Sequence, residues 1–236
     1  MNANNPIVLI GGSGLGPWAW DRVTPFLTDH GFQSVTPRLR TTGGDATPAE
    51  AVDLEAWVED VCEVLSGLTE ATLVAHSFAG YVAAGVLERQ PHSVRRLIFI
   101  DAILPRPNKS WFDVMGSGVA TFMTGLAQDG AIPWFTREQL DQLYPGHGIS
   151  DADFAWMRPR LAGQPIATYT QAAIKEPLTA DVARAAYVRC LVTNPPVEDV
   201  PTDQLGWDYR TLATGHWPMV THPEETAQVI MELAGS

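Results

Sequence analysis

Two cysteines in 236 residues supply no material for a disulfide framework or a thiolate metal site, and Cys62 and Cys190 fall far apart, one in a helical pattern and one in a strand pattern. Basic residues are also scarce. Fifteen Lys and Arg stand against 27 Asp and Glu, a formal net charge of −12. Nucleic acids and anionic membranes are bound through basic patches that release counterions, so neither is expected as a partner. No segment reaches membrane-spanning length without a polar break, and MNANNP leads straight into the first strand with no basic region or apolar run before it. A reducing cytoplasm is the compartment that fits. No pair of the six histidines has H-E-x-x-H or other metal spacing, so neither a metal nor a cofactor is expected. The expected partner is a small, neutral or apolar molecule, and a homodimer is left open.

What is present is enough apolar material for one well-buried domain: 45% of the residues are hydrophobic and only 18% are charged. Residues 7–10 (IVLI), 72–75 (TLVA), 94–101, 186–192 and 208–212 read as short strands, with residues 33–38 as a further one. Between them, residues 18–27, 48–68, 81–87 and 223–233 have helical spacing. Strands alternating with helices predict an α/β fold with a mostly parallel twisted sheet, whose sites form at the carboxyl ends of the strands.

One strand-to-helix junction stands out. Residues 71–87 read ATLVAHSFAGYVAAGVL, a buried strand, a turn with Ser77 at its tip, and an apolar helix rich in small residues. A serine on so sharp a turn has its hydroxyl pushed out above the sheet, as in a nucleophile elbow. The usual G-x-S-x-G has Ala75 and Ala79 in its outer positions here, the next smallest side chain. A plain βα turn with Ser77 near the helix cap is the competing reading.

After the first strand comes GGSGLG, residues 11–16. Read as a dinucleotide fingerprint from Gly12, the motif meets Pro17 at its last glycine, and the second strand does not close on an acidic residue. The alternative is an oxyanion loop, with the N–H groups of Ser13 and Phe78 holding a developing negative charge. Asp101 ends the fourth strand run. His216 follows the last strand and is the histidine best placed to be a base.

Residues 104–180 break the alternation with prolines at 105, 107, 133, 145, 159, 165 and 177 and with short aromatic-rich helical pieces. No strand alternation is evident there. This predicts a helical lid inserted between core segments 1–103 and 181–236. Trp111, Phe112 and Trp134 of the lid, with Trp18 after the glycine loop and Trp217 beside His216, are the candidates to line a substrate pocket. Any single one of them also has the ordinary explanation of core packing.

Four blocks, IVLIGGSGLGPWAWDRV, TLVAHSFAGYVA, LIFIDAILPRP and ATGHWPMVTHPEETA, resemble the α/β-hydrolase superfamily in order and spacing. Within it the chain is similar to a lidded small-esterase branch with plant methylesterases, hydroxynitrile lyases and many bacterial esterases. The resemblance implies Ser77 as nucleophile, His216 as general base and a catalytic triad in the order Ser, Asp, His. In most of the family the acid lies after the strand that here is 186–192, where Thr193 and Asn194 stand instead. Asp101 is the preferred acid and Asp199 the second, Glu198 and Asp203 lying in the same loop; the competing reading of Asp101 is a turn cap. Gly11 occupies a place where many relatives have a His that buttresses the glycine loop. The implied activity is a cofactor-free serine hydrolase acting on a small, mainly apolar carboxylic ester or lactone. A lyase or cyclase using Ser77 and His216 as acid and base is the alternative on the same scaffold, followed by a ligand-binding protein with a disabled site.

Overall fold

Eight strands are present among residues 5–178, 184–193 and 206–235, which the computed structural model describes. They are β1 (Ile7–Ile10), β2 (Ser34–Val35), β3 (Ala71–His76), β4 (Val94–Ile100), β5 (Ala131–Ile132), β6 (Gln164–Pro165), β7 (Ala186–Cys190) and β8 (Asp208–Leu212). Six of them form one parallel sheet in the order β2-β1-β3-β4-β7-β8, and β5 and β6 make a separate antiparallel ladder. Among the same residues the α-helices are α1 (Thr24–Asp29), α2 (Leu54–Ser66), α3 (Ala79–Arg89), α4 (Trp111–Met115), α5 (Ser117–Leu126), α6 (Arg137–Leu143), α7 (Asp151–Met157), α8 (Pro218–Thr221) and α9 (Pro223–Ala234).

The inner strands β1 and β3 are buried at every position because both faces of the sheet are covered there, whereas the edge strand β8 (DYRTL) is mostly exposed. Side chains alternate: Val8, Ile10, Leu73 and Phe99 enter the core with α2 and α3, while Ile7, Leu9, Val74 and Ile98 enter the core with α1 and α9. Trp57 of α2 is fully buried, and its indole N–H donates to the Arg40 carbonyl at 2.9 Å, so the largest apolar side chain of that helix leaves no unpaired donor. Truncating it to alanine is expected to cost about 3–5 kcal/mol.

Several elements depart from the sequence reading for identifiable reasons. Residues 18–27 are not one helix: a 3-10 turn at Pro17–Trp20 precedes α1. Pro25 has no N–H to continue a helical ladder and restarts it at the first turn of α1. Residues 48–68 split in the same way into a 3-10 turn at Ala49–Ala51 and α2, whose cap Asp53 accepts the Ala56 N–H at 2.9 Å. The strand read at 33–38 shrinks to Ser34–Val35 on the sheet edge, ahead of Pro37. The inserted region holds a ladder after all, with Ala131 paired to Pro165 and Ile132 to Gln164. Strands of two residues show no alternation to read.

The parallel register decides where chemistry can gather. Ile10 lies beside Ala75, His76 beside Ile100, Ile100 beside Val188 and Cys190 beside Leu212. The glycine loop, Ser77, Asp101, Thr193 and His216 therefore all leave the sheet at the same edge. Among the described residues, no helix is long and apolar enough to cross a membrane.

Candidate active site

The two central strands each run one hydrogen bond past their last residue and then turn sharply. The Ser77 N–H donates to the Ile100 carbonyl (3.1 Å) and the Asp101 N–H to the Val188 carbonyl (2.8 Å). Ser77 has φ 54° and Asp101 has φ 44°, both in the left-handed region that side chains avoid. Each such residue costs roughly 1–2 kcal/mol, and the packed strands on either side hold it there. The strained turns lift both side chains above the sheet edge.

There they meet His216. Its Nε2 lies 3.0 Å from Ser77 Oγ, and its Nδ1 lies 2.7 Å from Asp101 Oδ2. With Asp101 ionised, Nδ1–H donates to the carboxylate, which leaves the Nε2 lone pair to accept the Ser77 hydroxyl. Asp101 and His216 are both buried. Burial opposes the charge on Asp101, but N–H and O–H donors outweigh it and hold the carboxyl below the usual carboxylate range. Besides His216, those donors are the Thr193 hydroxyl at 2.7 Å and the Cys190 N–H at 3.1 Å. Thr193 thus does not leave a vacancy where relatives carry an acid; it donates to the carboxylate that the neighbouring strand supplies. Asn194, Glu198, Asp199 and Asp203 lie outside the described residues.

His216 is fixed from three further sides. Tyr144 stacks on its ring at 5.5 Å and Trp217 meets it edge-on at 4.8 Å. The Nε2–H of His76 donates to the His216 carbonyl at 2.7 Å. Burial, with His216 as a close neighbour, pulls His76 down to about 3, so it stays neutral at ordinary pH. The phenol of Tyr144 is pushed by burial up to about 12.

Above Ser77 lies a cavity of about 380 Å³. Ser13, His76, Ser77, Tyr144, Tyr169 and His216 are among its polar lining residues, and no Asp, Glu, Lys or Arg lines it. The glycine loop reaches the elbow closely: a Cβ on Gly12 would sit 2.8 Å from the Ser77 Cβ. Only glycine allows that approach. Neither the Ser13 N–H nor the Phe78 N–H donates a hydrogen bond among the described residues, and both residues face the cavity.

The aromatic candidates divide. Trp111, Trp134 and Trp217 line the cavity. Trp18 does not: it packs edge-on against Trp156 at 5.3 Å and borders a different hollow with Arg38 and Arg160. Its place was misread because it follows the glycine loop, whereas the 3-10 turn at Pro17–Trp20 directs it to the far side of that loop. Phe112 also stays off the cavity wall and packs on Trp111 (5.7 Å) and Tyr169 (5.4 Å). Sequence reasoning missed Tyr144 and Tyr169 as wall residues and His76 as a partner of His216. No local pattern marks the tyrosines, but His76, buried and adjacent to Ser77 at the end of β3, carried a positional signal. Among the described residues, no group of three or more His, Cys, Asp or Glu side chains could hold a metal ion.

Residues 7–229 match a family model described as the alpha/beta hydrolase family. Among curated proteins, the chain is 35% identical over 136 residues to the pimeloyl-[acyl-carrier protein] methyl ester esterase of Aromatoleum aromaticum, covering 54% of this chain and 52% of that protein. It is 24% identical to the carbendazim hydrolyzing esterase of a Nocardioides species, across 96% of this chain and 98% of that one. The chain spans about half or less of the length of the first curated relatives it matches. Among solved structures, an extracellular alpha/beta-hydrolase from a Paenibacillus species superposes with a TM-score of 0.85 at 19% identity, covering 97% of this chain and 98% of that one.

Proposed function

The chain belongs to the alpha/beta hydrolase family, and on that premise we propose that it is a cofactor-independent serine hydrolase of small, mainly apolar carboxylic esters or lactones. The observation that carries this reading is the unbroken chain from Ser77 Oγ through His216 to Asp101, at 3.0 and 2.7 Å, on the floor of a cavity with no charged wall residue. His216 Nε2 takes the hydroxyl proton as Ser77 Oγ attacks the ester carbonyl. The N–H groups of Ser13 and Phe78 receive the oxyanion, each worth roughly 3–4 kcal/mol of transition-state stabilisation. The imidazolium, steadied by Asp101, then protonates the leaving alcohol oxygen. A water molecule, deprotonated by the same Nε2, attacks the acyl-enzyme and releases the acid with Ser77 restored.

Relatives named as esterases support the same class. A His216 with no carboxylate partner, as Thr193 and Asn194 would leave it, would favour the lyase or cyclase alternative. With Asp101 in hydrogen-bonding contact with His216, that argument loses its footing. The reading of a disabled binding protein has no support in the geometry either, since Ser77 and His216 are in contact.

Turnover of p-nitrophenyl acetate and butyrate, together with labelling of Ser77 by a serine-directed phosphonate, tests the proposal. Ser77→Ala is expected to abolish both. Absence of turnover across short acyl chains, with Ser77 left unlabelled in the parent protein, would overturn it.

A further inference from the structure

Four of the six residues between Gly11 and Gly16 are glycine, so the loop carrying the Ser13 amide has almost no side chains with which to hold itself. Within the loop one turn bond is made, from the Leu15 N–H to the Gly12 carbonyl at 3.0 Å. Glycine loses more backbone freedom on ordering than any other residue, and an oxyanion donor works only when fixed in place. The constraint has to come from elsewhere.

It comes from the far end of the inserted region. The Ala162 N–H donates to the Gly14 carbonyl at 3.0 Å, and the Gly14 N–H donates to Gln164 Oε1 at 3.2 Å. The Tyr169 hydroxyl donates to Ser13 Oγ at 2.6 Å. Gln164 and Tyr169 are each 3% exposed and are themselves held. Gln164 Nε2–H donates to Thr168 Oγ1 (2.6 Å), whose own O–H donates to the Pro165 carbonyl (2.6 Å). Tyr169 stacks on Trp111 at 4.4 Å and meets Phe78, the other oxyanion candidate, edge-on at 4.7 Å. Burial keeps the phenol far above its ordinary ionisation range, so it remains an O–H donor. One short segment therefore contacts both Ser13 and Phe78, and it grips the loop at Ser13 and at Gly14.

We propose that Gln164 and Tyr169 are positioning residues that clamp the glycine loop and aim the Ser13 amide at the oxyanion. The catalytic half of this statement rests on the ester-hydrolase reading; the clamp itself does not.

Tyr169→Phe removes a single oxygen and keeps the stacked ring, and Gln164→Leu removes the acceptor for the Gly14 N–H at similar size. Amide hydrogen–deuterium exchange over residues 12–15 reads the clamp without any substrate, and it is expected to quicken about tenfold in each variant. With p-nitrophenyl butyrate, kcat is expected to fall roughly 10- to 100-fold with KM within about twofold, and the affinity of a tetrahedral boronic acid inhibitor to fall in step with kcat. The double variant Ser13→Ala/Tyr169→Phe should be no slower than the worse single variant, because both remove the same bond. Unchanged exchange at residues 12–15 would overturn the clamp. Faster exchange with kcat intact, or a raised KM alone, would overturn the aiming role and reduce Tyr169 to a wall of the pocket. A parent protein that turns over no ester sinks the hydrolase reading and the aiming role with it, while the exchange measurement still decides the clamp.

Discussion

Among the described residues, two histidine–aspartate pairs of nearly equal length occur, and their surroundings differ in almost every other respect. Asp101 and His216 are 2.7 Å apart at the strand ends, and Asp141 and His147 are 2.9 Å apart in the inserted region. The Asp101 side chain is 2% exposed, whereas that of Asp141 is 51% exposed. Asp101 gathers the Thr193 hydroxyl and the Cys190 N–H as well as the imidazole, so its charge is held by a dry, closed set of donors. The larger contrast lies on the other ring nitrogen. In His147, Nδ1 accepts the Ile149 N–H at 2.9 Å, so both nitrogens are occupied by the fold. In His216, Nε2 faces Ser77 across the cavity floor. A paired imidazole is therefore a structural pin or a base according to whether its second nitrogen is closed by backbone or open to a reacting group. The segments that carry the two pairs also pack together: a Cβ added to Gly215 would run into the His147 backbone, so the pinned turn forms a wall for the loop that carries the base.

The most severe break in this contrast is Asp101→Asn, expected to lower kcat by about 10³-fold while leaving phosphonate labelling of Ser77 slow but detectable. Near-parent rates in that variant, set beside a loss in Asp199→Asn, would move the acid to the loop after β7. Next comes Gly215→Ala. Two backbone segments would have to separate, and we expect a loss of about 1–3 kcal/mol in urea unfolding and a fall in kcat of roughly tenfold. An unaltered kcat there would show that the wall is dispensable. A third test concerns His76, whose folded-state pKa of about 3 lies below the roughly 6.5 of an unfolded histidine. Between those values the unfolded chain binds the extra proton, so stability rises with pH across the window and is lost on acidification from about 6.5 toward 3. The depressed pKa of Asp101 adds a loss only lower, below its unfolded value of about 3.9. Urea midpoints measured from pH 7 to pH 4 should fall steeply in the parent and less steeply in His76→Asn; parallel slopes would mean that His76 is not the group responsible. The mildest change is Asp141→Asn, for which kcat within about twofold of the parent is expected. A tenfold loss would erase the distinction between the two pairs.

Ser77 and Asp101 were legible because each directly follows a buried, mostly apolar strand, and His216 because it stands on the turn after the last strand, and a parallel sheet gathers such positions at one edge. The positions of β1, β3 and β4 were readable for the same reason, since burial on both faces leaves runs of aliphatic residues. The inserted region was legible only as a change of texture. Its helices α4, α6 and α7 begin with capping boxes at Ser110, Thr136 and Ser150, which are local signals. Which of its aromatics would face the cavity was not local at all. Trp111 and Phe112 are neighbours in one helix, yet only the first lines the cavity, because the second is taken up between Trp111 and Tyr169. Trp18 failed for a related reason, being claimed by Trp156 from a distant part of the chain.

By itself, the sequence determined the order of strands and turns, the serine at the elbow, and an uncharged, aromatic character for whatever surrounds it, since these follow from hydrophobic periodicity and composition. The pairing of those parts was decided only by the tertiary structure. Asp101 reaches His216 and Thr193 reaches Asp101 because β4, β7 and β8 are adjacent in the sheet, although they are far apart in the chain. Gln164 and Tyr169 reach the glycine loop across about 150 residues. Hydrogen bonds act over about 3 Å, and a sequence pattern records a residue's neighbours along the chain but not the strand that will lie beside it.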